Sequence, residues 1–203
     1  MNKNTLCQSL VLACAAALLS ACATSGQGPA LSQASVAPYR DSIELSGRLY
    51  VNYEKGGQPD TLTGGFTWSQ SATAVDVALL SPVGQTVATI RVTPEAATLT
   101  QGGREPRVAR DIDSLTAQTL GWSLPVSGLR DWLQGYATGA GGQRFAASRA
   151  NNSVTTPDGW RLTFVSWQDE AAVHPAPKRI DAQRSASATS GPLALRIVVD
   201  PQA

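Results

Sequence analysis

Period-two alternation of apolar and polar positions dominates the chain beyond residue 40. Leu45, Gly47, Leu49, Val51 and Tyr53 share one parity, with Glu44, Ser46, Arg48 and Asn52 on the other, as in a half-buried strand. Gly56-Gly57-Gln58-Pro59-Asp60 supplies turn chemistry before a second run in which Leu62, Phe66 and Trp68 face one way, so a hairpin is expected. Val75, Val77 and Leu79 continue the alternation. Ser81-Pro82-Val83-Gly84 reads as a loop, residues 86–92 as a fourth strand, and residues 95–100 with the turn at Gln101-Gly102-Gly103 complete an antiparallel meander.

The period changes between Asp111 and Gln134. Ile112, Leu115 and Leu120 follow helical spacing, with Asp111 as N-cap and Gly121 as stop. Beyond Pro125 a second short helix is expected, capped by Ser127, with Leu129, Trp132 and Leu133 on one face and Gly135 ending it in the left-handed conformation. Strands resume at residues 143–149, 160–167, 179–184 and 193–199. Eight to eleven antiparallel strands interrupted by two small helices are more than a flat open sheet carries comfortably, so the expected class is mainly β, an incomplete antiparallel barrel. Inward residues from so many strands, covered only by two short helices, would enclose an apolar cavity with the helices as a lid.

The N-terminus has a different character. Lys3, an apolar stretch from Leu10 to Leu19 and the tetrapeptide Leu19-Ser20-Ala21-Cys22 make a secretory signal of the lipoprotein type, too short to span a membrane. Residues 1–21 would be removed, leaving Cys22 to carry an N-acyl chain and an S-diacylglycerol, a combination that anchors stably where one chain does not. Cys7 and Cys14 leave with the signal, so no intramolecular disulfide is available and stability must come from packing. Ala23 after the cysteine, in place of the Asp common in lipoproteins kept at the inner membrane, fits export to the outer membrane. Residues 22–38, rich in Ser, Gly, Gln, Ala and Pro, read as the lipidated N-terminus and a flexible tether. Residues 39–203, about 165 of them, suit a single domain.

With 16 basic and 15 acidic residues and no long like-charge run, the chain lacks the basic patch that nucleic-acid binding requires. Enzyme readings find little support. His174 is the sole histidine and has no neighbouring ligand with which to build a metal site. Asp111 with Asp113, or Asp169 with Glu170, lacks a spacing that marks an acid–base pair. Gly139-Ala140-Gly141-Gly142 resembles a phosphate loop in composition alone. No catalytic residue, cofactor or metal is expected.

Several segments, in order, resemble the LolB family of outer-membrane lipoprotein receptors. They are the lipobox ending in Cys22, Gly47-Arg48-Leu49, Phe66-Thr67-Trp68, Leu80-Ser81-Pro82-Val83-Gly84, Pro125-Val126-Ser127-Gly128-Leu129-Arg130-Asp131-Trp132-Leu133-Gln134-Gly135, Trp160-Arg161-Leu162 and Pro177-Lys178-Arg179-Ile180-Asp181. The resemblance runs from about Ile43 to Asp200, and the Pro-x-x-x-Leu-Arg-x-Trp-x-x-Gly segment is its most specific part. It implies an incomplete barrel of LolA/LolB type with helices over a hydrophobic cavity. It also implies a lipid-anchored protein on the periplasmic side of the outer membrane, acting as a monomer. Such a protein accepts acylated lipoproteins from the soluble carrier LolA and inserts them into the inner leaflet. Other readings of the same curved sheet are a lipoprotein scaffold or assembly factor, and a general amphiphile-binding lipoprotein.

On this resemblance, the loop Pro82-Val83-Gly84 corresponds to a Pro-Leu-Gly tip implicated in delivery to membrane, with valine in place of leucine. The candidates for the cavity wall are Leu49, Phe66, Trp68, Val77, Leu79, Ile90, Leu129, Trp132, Leu133, Trp160, Leu162, Phe164, Leu195 and Ile197, with Trp132 and Leu133 on the lid. Arg130 and Asp131 are expected on a solvated face. Lys178, Arg179, Arg184 and Arg196 are basic candidates for a carrier-facing surface, with solvated strand faces as the alternative.

Overall fold

A computed structural model describes residues 33–187 and 191–201. The signal-like segment and Cys22 therefore lie outside the described residues. Twelve strands and two helices occur among those described: β1 (Ile43–Lys55), β2 (Gln58–Gln70), β3 (Val75–Leu80), β4 (Thr86–Val92), β5 (Ala97–Gln101), β6 (Arg107–Ala109), α1 (Ile112–Leu120), α2 (Val126–Trp132), β7 (Tyr136–Thr138), β8 (Arg144–Ala146), β9 (Ser153–Thr155), β10 (Trp160–Trp167), β11 (Pro177–Arg184) and β12 (Leu193–Val199).

Ten strands form one antiparallel sheet in the order β6-β5-β4-β3-β2-β1-β12-β11-β10-β9. Its ends, β6 and β9, do not pair, so the barrel is incomplete. The alternation of β1 reappears as burial of Ile43, Gly47, Leu49 and Val51 against exposure of Glu44, Ser46, Arg48 and Asn52. The inward faces of β2, β3, β4, β5, β10, β11 and β12 continue one core, onto which both helices and the β7–β8 hairpin pack.

Gly47 has a specific packing reason. A Cβ at this position would meet the Phe66 ring at 2.7 Å and collide with the Val198 carbonyl, so only glycine lets Phe66 of β2 lie across β1.

The long connection from β6 to β9 crosses the concave face. α1 starts at Asp111, whose carboxylate accepts the Asp113 N–H at 3.1 Å, and ends at Gly121 with φ +84°. It packs against β5 and β6. α2 follows, and then the β7–β8 hairpin, whose Phe145 stacks on Phe164 of β10 with centroids 6.0 Å apart. The connection thus runs from one edge of the sheet toward the other.

Several details differ from the sequence reading. β6, β7 and β9 are three-residue strands that the alternation did not reveal. Leu62 keeps the parity of Phe66 and Trp68 but lies beyond the core and is exposed. Ser127 does not cap α2. Pro125 occupies the N-cap position, while the Ser127 hydroxyl donates to Asp113 Oδ2 at 2.6 Å and so joins the two helices. Packing also begins three residues before the boundary read at residue 39. Val36 is 3% exposed, donates its N–H to the Ala147 carbonyl at 3.0 Å and sets its side chain against Gly135.

Candidate functional site

The space between sheet and helices is a small, wholly apolar cavity. Leu49, Phe66, Trp68, Val77, Leu79 and Ile197 form its floor and walls, and Leu124, Leu129 and Leu133 form its roof. Eight of the fourteen cavity candidates therefore meet around one void. Leu124 joins them; it lies between the helices, outside any periodic run, so the sequence pattern does not mark it.

The other six pack elsewhere in the core. Ile90 sits between Val77 and Leu99 in the sheet register. Trp132 packs edge-on against Trp160 at 5.6 Å, and Arg184 covers the outer face of Trp160 at 4.7 Å. Leu162 and Leu195 flank Ala182 in adjacent strands, while Phe164 lies between Phe145 and Trp167.

The cavity measures about 20 Å³, room for roughly one water molecule and far less than an acyl chain. A guest larger than this would fit only if the roof moved, so what fastens the roof matters. Thr116 Oγ1 accepts the Leu124 N–H at 3.0 Å and donates to the Asp113 carbonyl at 2.8 Å. The Asp113 carboxyl, tied to Ser127, is pushed above the usual aspartate range mainly by burial, with the Ser127 hydrogen bonds opposing that shift. Arg130 is not simply solvated: its Nη2 donates to the Ser71 and Ala72 carbonyls at 2.6 and 3.1 Å, tying α2 to the β2–β3 turn. Asp131 stands 4.0 Å from Arg144. Inside α2, Gly128 leaves space for the Trp132 indole, whose ring would collide with a Cβ placed there.

One polar side chain enters the core beside the cavity. Gln70 Oε1 accepts the Trp68 indole N–H at 3.2 Å, and its amide donates to the Tyr39 hydroxyl at 2.9 Å. Trp68 thereby presents only hydrocarbon to the cavity while its N–H is satisfied.

At the far end of the β3–β4 hairpin, the Gly84 N–H donates to the Ser81 carbonyl at 2.9 Å and Gly84 has φ +83°. Because no other residue type has positive φ among the described residues, this is a type I turn followed by a left-handed glycine, with a register shift at the start of β4. The turn projects Val83, which is 81% exposed. Pro82 and Gly84 are exposed beside it. A larger concavity of about 960 Å³ near Ser42, Ser46, Thr67 and Ser69 is open and carries many polar groups, so it suits an apolar guest poorly. The sole histidine, His174, donates through Nδ1 to the Ser35 carbonyl at 3.0 Å, and Arg179 pairs with Asp181 at 2.6 Å.

The family model for outer membrane lipoprotein LolB matches residues 41–201. The chain belongs to the LolB family. A LolB protein of Cupriavidus necator, named outer-membrane lipoprotein, is 39% identical over 178 residues, covering 83% of this chain and 88% of the relative. The LolB of Cupriavidus pinatubonensis is 36% identical across 100% of this chain and 97% of its own length, and that of Chromobacterium violaceum 33% across 91% and 93%. A crystal structure of a LolA superfamily protein from Nitrosomonas europaea covers 80% of this chain and 86% of its own at 7% identity, with a TM-score of 0.42. Within the LolB match fall the cavity, both helices and the Val83 turn; Cys22 precedes it.

Proposed function

We propose that this LolB-family protein is an outer-membrane lipoprotein receptor, anchored through acyl chains on Cys22. It accepts acylated lipoproteins from a LolA-like periplasmic carrier and inserts them into the inner leaflet of the outer membrane. The observation that carries the reading is a wholly apolar cavity, in a LolB-family domain, roofed by a helix pair that packs its own apolar side chains on the sheet and is fastened further by polar bonds from Ser127 and Arg130.

An acyl chain exposed in the aqueous periplasm costs about 0.8 kcal/mol per methylene, so three chains need a shield throughout transit. Apolar walls serve cargo of differing sequence because only the lipid is common to all. The closed interior supplies direction. A chain entering must separate Leu124, Leu129 and Leu133 from the sheet, which lowers the apparent affinity by the cost of opening. When the chain leaves for the bilayer, the roof recovers that packing. Transfer thus runs downhill from carrier to receptor to membrane without a further energy source, provided the receptor still outbids the carrier. Val83, held out by its turn, offers an apolar contact with the bilayer at delivery.

The test is transfer of a labelled lipoprotein from loaded carrier to liposomes. Adding the lipidated protein should move label into the liposome fraction. Label that remains with the carrier at every concentration of this protein would refute the receptor role.

A further inference from the structure

The inward faces of β1 and β12 continue past the cavity. Beyond Leu49 along β1 come Gly47, Leu45 and Ile43, and beyond Ile197 along β12 comes Val199. Ile43, Leu45 and Val199 line a second void of about 60 Å³, walled on its outer side by Val36, Ala37 and Pro38. Leu133 lines both voids. A single leucine, just past the C-terminal end of α2, therefore borders both the cavity and a mostly apolar void nearer the surface.

Segment 36–40 closes this opening as a strap. Gln134, next to Leu133, holds it by a reciprocal pair: its Oε1 accepts the Arg40 N–H and its Nε2 donates to the Arg40 carbonyl, both at 2.9 Å. The Tyr136 hydroxyl donates to the Ala37 carbonyl at 2.7 Å. Buried Val36, with its N–H on the Ala147 carbonyl, and the Tyr39 hydroxyl, which accepts from Gln70, also hold the strap, whereas the Gln134 and Tyr136 bonds lie in exposed surroundings, where replacing them with water bonds costs least. Other ways out of the cavity are harder to open. Further along β1 and β12 lie the fully buried Val51 and Leu195, and on the β10 side Trp132 is packed against Trp160.

We propose that this second void is the portal for acyl chains. A chain enters beneath strap 36–40, displaces Leu133 and occupies the cavity, while the polar end of the lipid stays with Arg40, Gln134 and Gln168 at the rim. This rests on the receptor reading. It adds the route, the inner gate and the latch, and it makes the segment that leads from the anchor a moving part of the site.

The experiment uses the full-length lipidated protein in detergent-free nanodiscs and a tripalmitoylated cysteinyl peptide carrying a fluorescent dye, with uptake and release followed by stopped flow. Gln134→Ala, an exchange of a partly exposed polar residue, should speed uptake and release together by roughly tenfold, as loss of two hydrogen bonds predicts, with equilibrium affinity nearly unchanged. Leu133→Trp should slow both by a similar factor. If the parent binds the peptide and both variants keep its rates, the portal lies elsewhere and the proposal is wrong. If the parent binds no peptide at all, the receptor reading itself fails and takes the portal with it.

Discussion

The Phe66 ring lies directly over Gly47, filling the place where any other residue of β1 would project its side chain into the core. This contact sets how closely β1 and β2 pack beneath the cavity, and it joins two segments whose LolB-like motifs are 19 positions apart in the chain (47 to 66). Gly47→Ala should therefore destabilise the domain by about 1–3 kcal/mol through overpacking, seen as a lower urea midpoint. Adding Phe66→Leu should recover only part of the loss, because the clash with the Val198 carbonyl persists.

Asp113 makes the helix roof sensitive to pH. Its folded-state pKa is raised, so between the ordinary aspartate value near 4 and the raised value the folded protein holds more protons than the unfolded one. Its contribution is therefore most favourable below that window and is lost as pH rises through it. Asp111 behaves oppositely: its hydrogen bond from Ser114 lowers its pKa, and its contribution is lost as pH falls below the ordinary value. Urea midpoints measured from pH 7 down to 4 should gain less stability on acidification in Asp113→Asn than in the parent. Parallel curves would remove Asp113 as the cause.

Arg130 fastens α2 to the β2–β3 turn through two carbonyls of that turn. Arg130→Met keeps much of the hydrocarbon stem and deletes both bonds, each worth on the order of 1 kcal/mol or more when the donor is charged. Amide exchange in residues 126–133 should accelerate by roughly tenfold, while exchange in β11 and β12 stays at the parental rate.

The strand pattern was legible because most inward positions of the sheet face a dry core along their whole length. Leu49, Val77, Trp160 and Ile197 could be placed from parity alone. β6, β7 and β9, of three residues each, escaped because they are too short to show a period, while the equally short β8 lies inside the strand read at residues 143–149. The site was harder to read than the fold. Eight cavity residues share a void and six do not, and the difference depends on where α2 crosses the sheet, which parity does not encode. Leu124 was invisible in a segment with no repeat. Ser127 looked like a cap because its true partner, Asp113, belongs to another helix. Val36 was hidden by the tether-like composition around it, although its packing against Gly135 makes it part of the domain.

On the proposed function, Val83 serves delivery and the cavity serves reception. It does not line the cavity and projects from a turn whose hydrogen bonds are made by the backbone and by Ser81. Val83→Glu should leave the urea midpoint within about 0.5 kcal/mol of the parent, as expected of an exposed site, and leave cargo binding intact. Liposome insertion of labelled lipoprotein should fall sharply. Normal insertion would exclude this turn from delivery.

The most direct test of the central claim, that the closed apolar interior opens to hold acyl chains, is photocrosslinking from p-benzoylphenylalanine at position 66 to lipoprotein with radiolabelled acyl chains. The label should appear on this protein after loading from the carrier and disappear once liposomes are added. Transfer that proceeds with no crosslink from position 66, and with crosslinks only from an outward site such as position 165, would contradict the account.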